Sequence, residues 1–435
     1  MKIFSCYPNI LKYLQNQDLV SATLISLVLI AIPFKHLYSN IALAFFILHF
    51  VFTTNKIKYL FRFSLLLPIL LYSVMVLSLL WTTNFSATLN GLRKEILFLV
   101  LPIVFIFKPS FTAYIKNLLL RQFSFGMTIY AALCFICSSI KFYNTGNKNV
   151  FLFHELVTVE VNAIYIAVFA TLALFYFIQL QNKKNIDFVA IYMLFIFLIF
   201  LSSKTVCFIG CFLGLWYYIN YAKTSSGIKI VSAAISLTFI MFSFLYVDTI
   251  KNRFLEEYET AFVDNSLNNS LGSPESKVLN ISLKQAWTKD KFNPNEFFPG
   301  TAFRIVHIRF FSEIIKTKKN IYLGLGQDAS EKSIKQTYNQ YKLFENYNYF
   351  NFHNQYIQIF AELGILGFFV FLYMIFFNIQ QAMRHDDFLH LVFASSTAII
   401  FLTESMLCRQ RGIVFFIVLY CIFNTTAIEQ KKLEI

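Results

Sequence analysis

Charge is scarce in this sequence. Only 14% of its 435 residues are Asp, Glu, Lys or Arg, while 57% are hydrophobic, against about 25% and 45–50% in an average soluble chain. That balance excludes a soluble fold, because a chain of this length could not hide so much apolar surface from water; lipid must be its solvent. Cysteine is nearly absent where it would matter. None of the seven cysteines falls between Asp248 and Phe352, so no disulfide framework holds the one long polar stretch. Cys134-x-x-Cys137 lies in an apolar run without a nearby histidine and reads as inert packing. No Gly-rich dinucleotide motif is present, which weighs against a cytoplasmic sugar-nucleotide transferase. The polar stretch lacks a dense Asp/Glu/His cluster, and the acidic pair Asp386-Asp387 reads as a solvated turn, so neither a metal nor another cofactor is expected. There is no internal repeat and no cleavable signal pattern; the first apolar run, Leu19 to Pro33, reads as a first span.

What is present is apolar and aromatic, with 54 Phe and 24 Tyr. Runs long enough to cross a bilayer number about twelve. They lie near 19–34, 37–54, 63–81, 95–108, 118–140, 161–180, 186–202, 205–222, 228–247, 355–378, 388–403 and 411–427. The expected fold is therefore an all-α polytopic membrane protein. With the N-terminus in the cytoplasm, short loops on the inner side carry about 15 Lys and Arg against about 8 outside, the direction that the positive-inside rule requires. An even number of spans returns the C-terminus to the cytoplasm. The net charge of +14 is then a matter of membrane sidedness. Nucleic acid is not an expected partner, since no basic run interleaves with a recognition module.

This reading divides the chain into nine spans over 1–247, a large, partly helical outer loop over 248–352, and three spans over 353–435. A polar loop of about 105 residues is too long for a plain connector. Within it, Ala302 to Lys316 alternates apolar and basic residues, as an amphipathic helix on a membrane surface would.

The sharpest local pattern opens the tenth span: His353-Asn354, then Glu362-Leu363-Gly364, then Gly367. Together with its place after the large loop, it resembles the His-Asn…Glu-x-Gly-x-x-Gly signature of the O-antigen ligase and polymerase superfamily. Arg304 followed by Gly324-Leu325-Gly326 is similar to that family's Arg…Gly-x-Gly stretch, with His307, Ile308 and Arg309 where a Trp is frequent. Ser202-Ser203-Lys204 resembles its Ser-x-Ser-Arg, with a Lys point charge in place of the planar Arg fork. Glu404 through Gly412 is similar to a late Glu…Gln-x-Gly stretch. The resemblance implies transfer of a glycan from undecaprenyl diphosphate to an acceptor hydroxyl at the periplasmic face of a bacterial inner membrane. It also implies metal independence and inversion at the anomeric carbon. A ligase would use the lipid A core as acceptor, in lipopolysaccharide biosynthesis; a polymerase would use another carrier-linked glycan.

Such chemistry needs a stabilised diphosphate leaving group, a base for the hydroxyl, and alignment of the two substrates. His353 is the expected base, at a helix N-terminus where partial positive charge favours neutral imidazole. The expected diphosphate ligands are Arg304 first, then Arg409 or Arg411, then Lys204, with Arg93 and Lys94 also on the outer side. Asn354 reads as a cap or sugar contact. Glu362, about half a turn round and 13.5 Å along from His353, reads as structural, paired to a basic or backbone group on another span. Gly364 and Gly367 are expected to allow close helix packing, and Glu404 to support the site. A transporter of lipid-linked sugars would instead carry charges along a central path through its spans, and these spans are nearly bare of charge.

Overall fold

A computed structural model describes residues 16–53, 62–107, 112–159, 161–222, 258–268, 277–318, 321–343 and 351–425, with the isolated positions 227, 255 and 271. The expected span 228–247 lies outside the described residues. Before it run α1 (Gln17–Ala31), α2 (His36–Thr53), α3 (Phe63–Leu77), α4 (Phe85–Glu95), α5 (Leu97–Phe107), α6 (Ala113–Thr145), α7 (Ala163–Gln179), α8 (Asn185–Leu201) and α9 (Lys204–Asn220). Each of the eight apolar runs expected before that span coincides with one of these helices. The run at 95–108 is the second half of a longer rod, since α4 and α5 abut at Ile96, which keeps helical angles.

By length and composition four helical stretches among the described residues are sufficient to cross a membrane: His36–Thr53, Phe63–Leu80, Ala113–Thr145 and Gln355–Arg384. Five shorter apolar helices stand at further expected spans. The helical class therefore holds, at 78% helix among the described residues, while the four crossings established this way among those residues do not confirm a count of about twelve. At 33 residues, α6 is about 50 Å long and outreaches a hydrocarbon core of about 30 Å.

After α9 the chain forms a small unit of its own: β1 (Ser266–Leu267), β2 (Leu279–Asn280), α10 (Leu283–Thr288), β3 (Glu296–Phe297), α11 (Gly300–Lys318) and α12 (Ser330–Gln340). The two-residue strands pair β1 antiparallel to β2 and β2 parallel to β3, the only sheet among the described residues. Then come α13 (Gln355–Arg384), α14 (Phe388–Ile400) and α15 (Gln410–Thr425).

Two cores result. In the helical bundle α15 is the axle: every residue from Arg411 to Thr425 is buried. Aromatic rings fill the space around it. Phe415 meets Phe169 at 4.1 Å and Phe393 at 6.1 Å between centroids, and Phe416 meets Phe98, Phe393 and Phe401. The abundance of Phe is thus partly core packing. Helix α2 has a similar apolar composition but buries only Ser39, Leu43 and Phe46, leaving Phe45, Val51 and Phe52 more than half exposed, as a lipid-facing helix would.

The second core belongs to the polar segment. Ala302, Val306, Phe310 and Ile314 recur every four residues on α11 and are buried among Ile281, Phe298, Ile334, Tyr338 and Phe352. The helix expected over Ala302 to Lys316 is present, but its apolar face is covered by its own segment and not by a membrane surface. Arg309 is drawn into the same core, donating to Glu313 (3.0 Å), the Lys289 carbonyl (2.7 Å) and the Tyr341 hydroxyl (3.0 Å).

Candidate functional site

The N-terminus of α13 is stitched to the turn between α14 and α15. Asn354 is the N-cap: its Oδ1 accepts from the Ile357 amide (3.0 Å) and its Nδ2 donates to the Leu402 carbonyl (2.9 Å). Its own amide donates to Ser405 Oγ (3.1 Å). Next to it, the Gln355 amide donates to the Phe401 carbonyl and Gln355 Oε1 accepts from the Leu407 amide. The polar residues at this helix start satisfy the otherwise orphaned amides there, and in doing so they fix Glu404 beside His353.

His353 precedes the cap in a left-handed conformation, φ +49°, uncommon for a residue with a side chain. Its Nδ1 lies 3.8 Å from Glu404 Oε2, ion-pair range but longer than a hydrogen bond. The other carboxylate oxygen, Oε1, accepts from Arg304 Nη2 at 3.2 Å. Arg304 also donates through Nε to the Thr403 carbonyl (2.9 Å) and through Nη1 to the Gly300 carbonyl (3.2 Å). Three of the five N–H groups of a guanidinium are thereby used, and the side chain is 29% exposed. The result is a chain of contacts, Arg304–Glu404–His353, with the imidazole at one end and, among the described residues, two unspent guanidinium donors at the other.

His307, one turn along α11, packs its ring 5.5 Å from that of His353. Its Nδ1 donates to the Phe303 carbonyl (2.6 Å), so its Nε2 accepts from the Tyr338 hydroxyl (2.5 Å). Complete burial, then the nearby His353, push its pKa down to about 3; the Phe303 carbonyl opposes this by more than Arg304 adds to it. It is a neutral wall of the site and not a second base.

Below this cluster, Glu362 is buried and its Oε1 accepts from Ser330 Oγ (2.8 Å) and Gln358 Nε2 (2.5 Å). The Asp328 backbone N–H also donates to this carboxyl; the sequence suggested a basic or backbone partner on another span, and this backbone partner sits on the turn before α12. Gly364 interrupts α13 with φ +64° and ψ −161°. That break frees two carbonyls, and the 321–326 turn docks on them: Leu325 N to Ala361 O and Gly326 N to Glu362 O, both 2.9 Å. A Cβ on Gly364 would come within 2.2 Å of the Tyr322 carbonyl oxygen, and one on Gly324 within 2.5 Å of the Glu362 carbonyl. The two halves of the motif, Gly-x-Gly and Glu-x-Gly, are thus one backbone-to-backbone joint. Gly364 serves that joint; a Cβ on Gly367 would first meet Leu363 of its own helix, within 2.2 Å.

The remaining expected cations separate. Arg411 is buried and donates to the carbonyls of Ile32 (3.2 Å) and Phe34 (2.9 Å) just past the end of α1, which makes it a cap for that helix end. Lys94 pairs with Asp328 at 2.8 Å. Arg93 is exposed and reaches Asn90 at 3.4 Å. Lys204 opens α9, half-buried, after Ser202 turns the chain with φ +43°. Arg409 is exposed, and Tyr165 of α7 feels its charge together with that of Glu404. Of the expected diphosphate ligands, Arg304 is the one that contacts Glu404 in the Glu404–His353 pair, at 3.2 Å. The sequence reading missed Glu95, buried against Gln327; its signal was an acid at the edge of an apolar run, which is costly there and rarely idle.

Among the described residues no group of three or more His, Cys, Asp and Glu is placed to hold a metal. Residues 188–372 match the family model described as O-antigen ligase. The match takes in Arg304, the 324–326 turn, His353 and the Gly364 break, and ends within α13. Glu404 and the α14–α15 turn lie beyond it. No curated protein matches the chain.

Proposed function

Starting from a chain that belongs to the O-antigen ligase superfamily, whose members are glycosyltransferase-like enzymes, we propose that it is an O-antigen ligase. It moves a glycan from undecaprenyl diphosphate to a hydroxyl of the lipid A core, without a metal, at the periplasmic face of a bacterial inner membrane. The observation that supports this most is the Arg304–Glu404–His353 chain at the start of α13. His353 takes the proton of the acceptor hydroxyl, whose oxygen bonds to the anomeric carbon as the bond to the diphosphate breaks. The Glu404 carboxylate steadies the imidazolium that forms, as an orienting acid does for a catalytic histidine. The two remaining N–H groups of Arg304 meet the negative charge growing on the departing diphosphate, helped by Arg409. Undecaprenyl diphosphate leaves, and the glycan is inverted at its anomeric carbon.

Surface-polysaccharide profiling of a deletion strain, together with extraction of carrier lipid, tests the reading. Loss of long chains from the lipid A core, with polymer accumulating on the carrier, is expected. A single repeat unit left on the core would make the protein a polymerase instead, and an unchanged profile would refute both.

A further inference from the structure

Away from the reacting groups, one pair of side chains has unmet hydrogen-bonding capacity. Glu95, at the end of α4, and Gln327, in the turn before α12, are 4% and 2% exposed. Gln327 Nε2 donates to Glu95 Oε1 at 2.9 Å. The other oxygen of each group, Glu95 Oε2 and Gln327 Oε1, is buried with no hydrogen-bond partner among the described residues. Both are acceptors when Glu95 is ionised, so each would bear the penalty of a buried unsatisfied polar atom, about 1–3 kcal/mol. Turning the amide over would set oxygen against oxygen. Neither neighbouring cation nor neighbouring hydroxyl relieves the pair: Lys94 is engaged with Asp328, and the Ser78 hydroxyl, which accepts from the Gln327 backbone amide at 3.0 Å, donates its proton to the Met75 carbonyl at 2.6 Å. One proton on Glu95 Oε2 satisfies both orphans together, because the acid O–H then donates to Gln327 Oε1 while the amide N–H donates to Glu95 Oε1.

We propose that Glu95 is a neutral carboxylic acid closed in a two-hydrogen-bond ring with the Gln327 amide, and that this ring positions the 324–330 turn against α13. The turn it holds carries the Gly326 amide to the Glu362 carbonyl and the Ser330 hydroxyl to the Glu362 carboxyl. From Glu362 the contacts continue through Gln358 Nε2 and Oε1 to the Phe352 amide, next to His353. Glu95 is thus a positioning residue that never meets substrate. The charged and titratable groups around it are Lys94, Asp328, Glu362, Tyr72 and the Cys408 thiol. The Lys94–Asp328 pair is neutral as a unit, so a second negative charge at Glu95 would face Glu362 without a counter-ion of its own.

Infrared difference spectra of the full-length protein in nanodiscs at pH 7, wild type against Glu95→Gln, read the proton directly and do not depend on the ligase reading. Loss of a neutral-acid C=O band in the variant is expected. Loss of ionised-carboxylate bands instead, as a bridging water with a charged Glu95 would give, overturns the proposal. Thermal unfolding supplies the second test. Gln can remake both hydrogen bonds, so Glu95→Gln should melt with the wild type and rescue glycan transfer. Glu95→Leu, which leaves the amide of Gln327 unpartnered, should melt lower and transfer about tenfold more slowly or worse. A Glu95→Gln protein as impaired as Glu95→Leu would show that the charge, and not the ring, is what the fold uses.

Discussion

Replacing Gly364 with alanine should disable the protein although Gly364 touches no reacting group. The backbone there, φ +64° and ψ −161°, is open essentially to glycine alone, and another residue held in it costs about 1–3 kcal/mol. The new Cβ would sit 2.2 Å from Tyr322 O, 2.5 Å from Tyr322 C and 2.7 Å from Leu323 C. All three are backbone atoms, so no side chain can swing aside, and relieving the overlap adds about 1–3 kcal/mol. The sum, about 2–6 kcal/mol, is a large share of the 5–15 kcal/mol that stabilises a typical domain. The strain falls on the joint that ties the 321–326 turn to α13, so the hydrogen bonds from Leu325 and Gly326 should be lost first. Thermal unfolding and glycan transfer would be measured beside Gly214→Ala. Nothing lies within 4 Å of a Cβ at Gly214 in α9, and that control should be neutral or slightly stabilising, as helix propensity favours alanine over glycine by about 1 kcal/mol. A Gly364→Ala protein as stable and active as the control would refute the joint.

Other expectations follow from the same geometry. Glu404→Gln removes the carboxylate between Arg304 and His353 and should slow transfer about 10²-fold or more with the fold intact, within the range that acid–base groups contribute; steady-state kinetics in nanodiscs checks it. Arg411→Lys cannot span the two carbonyls past α1, so it should lower the melting temperature, by about 1–2 kcal/mol for hydrogen bonds from a charged donor, while the surviving folded protein transfers normally; Arg304→Lys should do the reverse. His307 gives a pH signature. Its folded pKa of about 3 lies below the ordinary histidine value of 6.5, so between those limits the unfolded chain binds a proton that the folded one refuses. Stability should be flat in this respect above pH 6.5 and decline below it, by up to about 1.4 kcal/mol per pH unit, until about pH 3. His307→Phe should flatten that decline in acid unfolding curves, at a loss near neutrality of about 1 kcal/mol for the Tyr338 hydrogen bond.

The helices were legible in the sequence because a chain in lipid must satisfy its backbone internally, so long apolar runs leave few alternatives. Which side of each helix meets lipid was not. Apolar residues surround α2 and α15 alike, yet one is mostly exposed and the other wholly buried, and only tertiary neighbours decide between them. The pattern over Ala302 to Lys316 had the same ambiguity: a face apolar every fourth residue fits a membrane surface or a protein core equally well, and here Phe298, Ile334 and Tyr338 cover it. His353 and Arg304 stood out by spacing, but their link through Glu404 depends on a turn about fifty residues further along the chain that Asn354 and Gln355 hold in place. Arg304 stood ahead of Arg411 only by its place in the motif, and what separates them physically is the burial of Arg411 against the Ile32 and Phe34 carbonyls. Gly364 was visible as a small residue in the motif, whereas its positive φ, and hence its service to a backbone joint, belongs to the folded chain alone.

The most direct test of the central claim is transfer by the purified protein in liposomes, supplied with undecaprenyl-diphosphate-linked glycan and lipid A core. The account predicts glycan on the core, one undecaprenyl diphosphate released per transfer, no loss of rate with EDTA, and no product from a correctly folded His353→Ala variant. Full transfer by His353→Ala, or none by the folded wild type with either this acceptor or a second carrier-linked glycan, would contradict it.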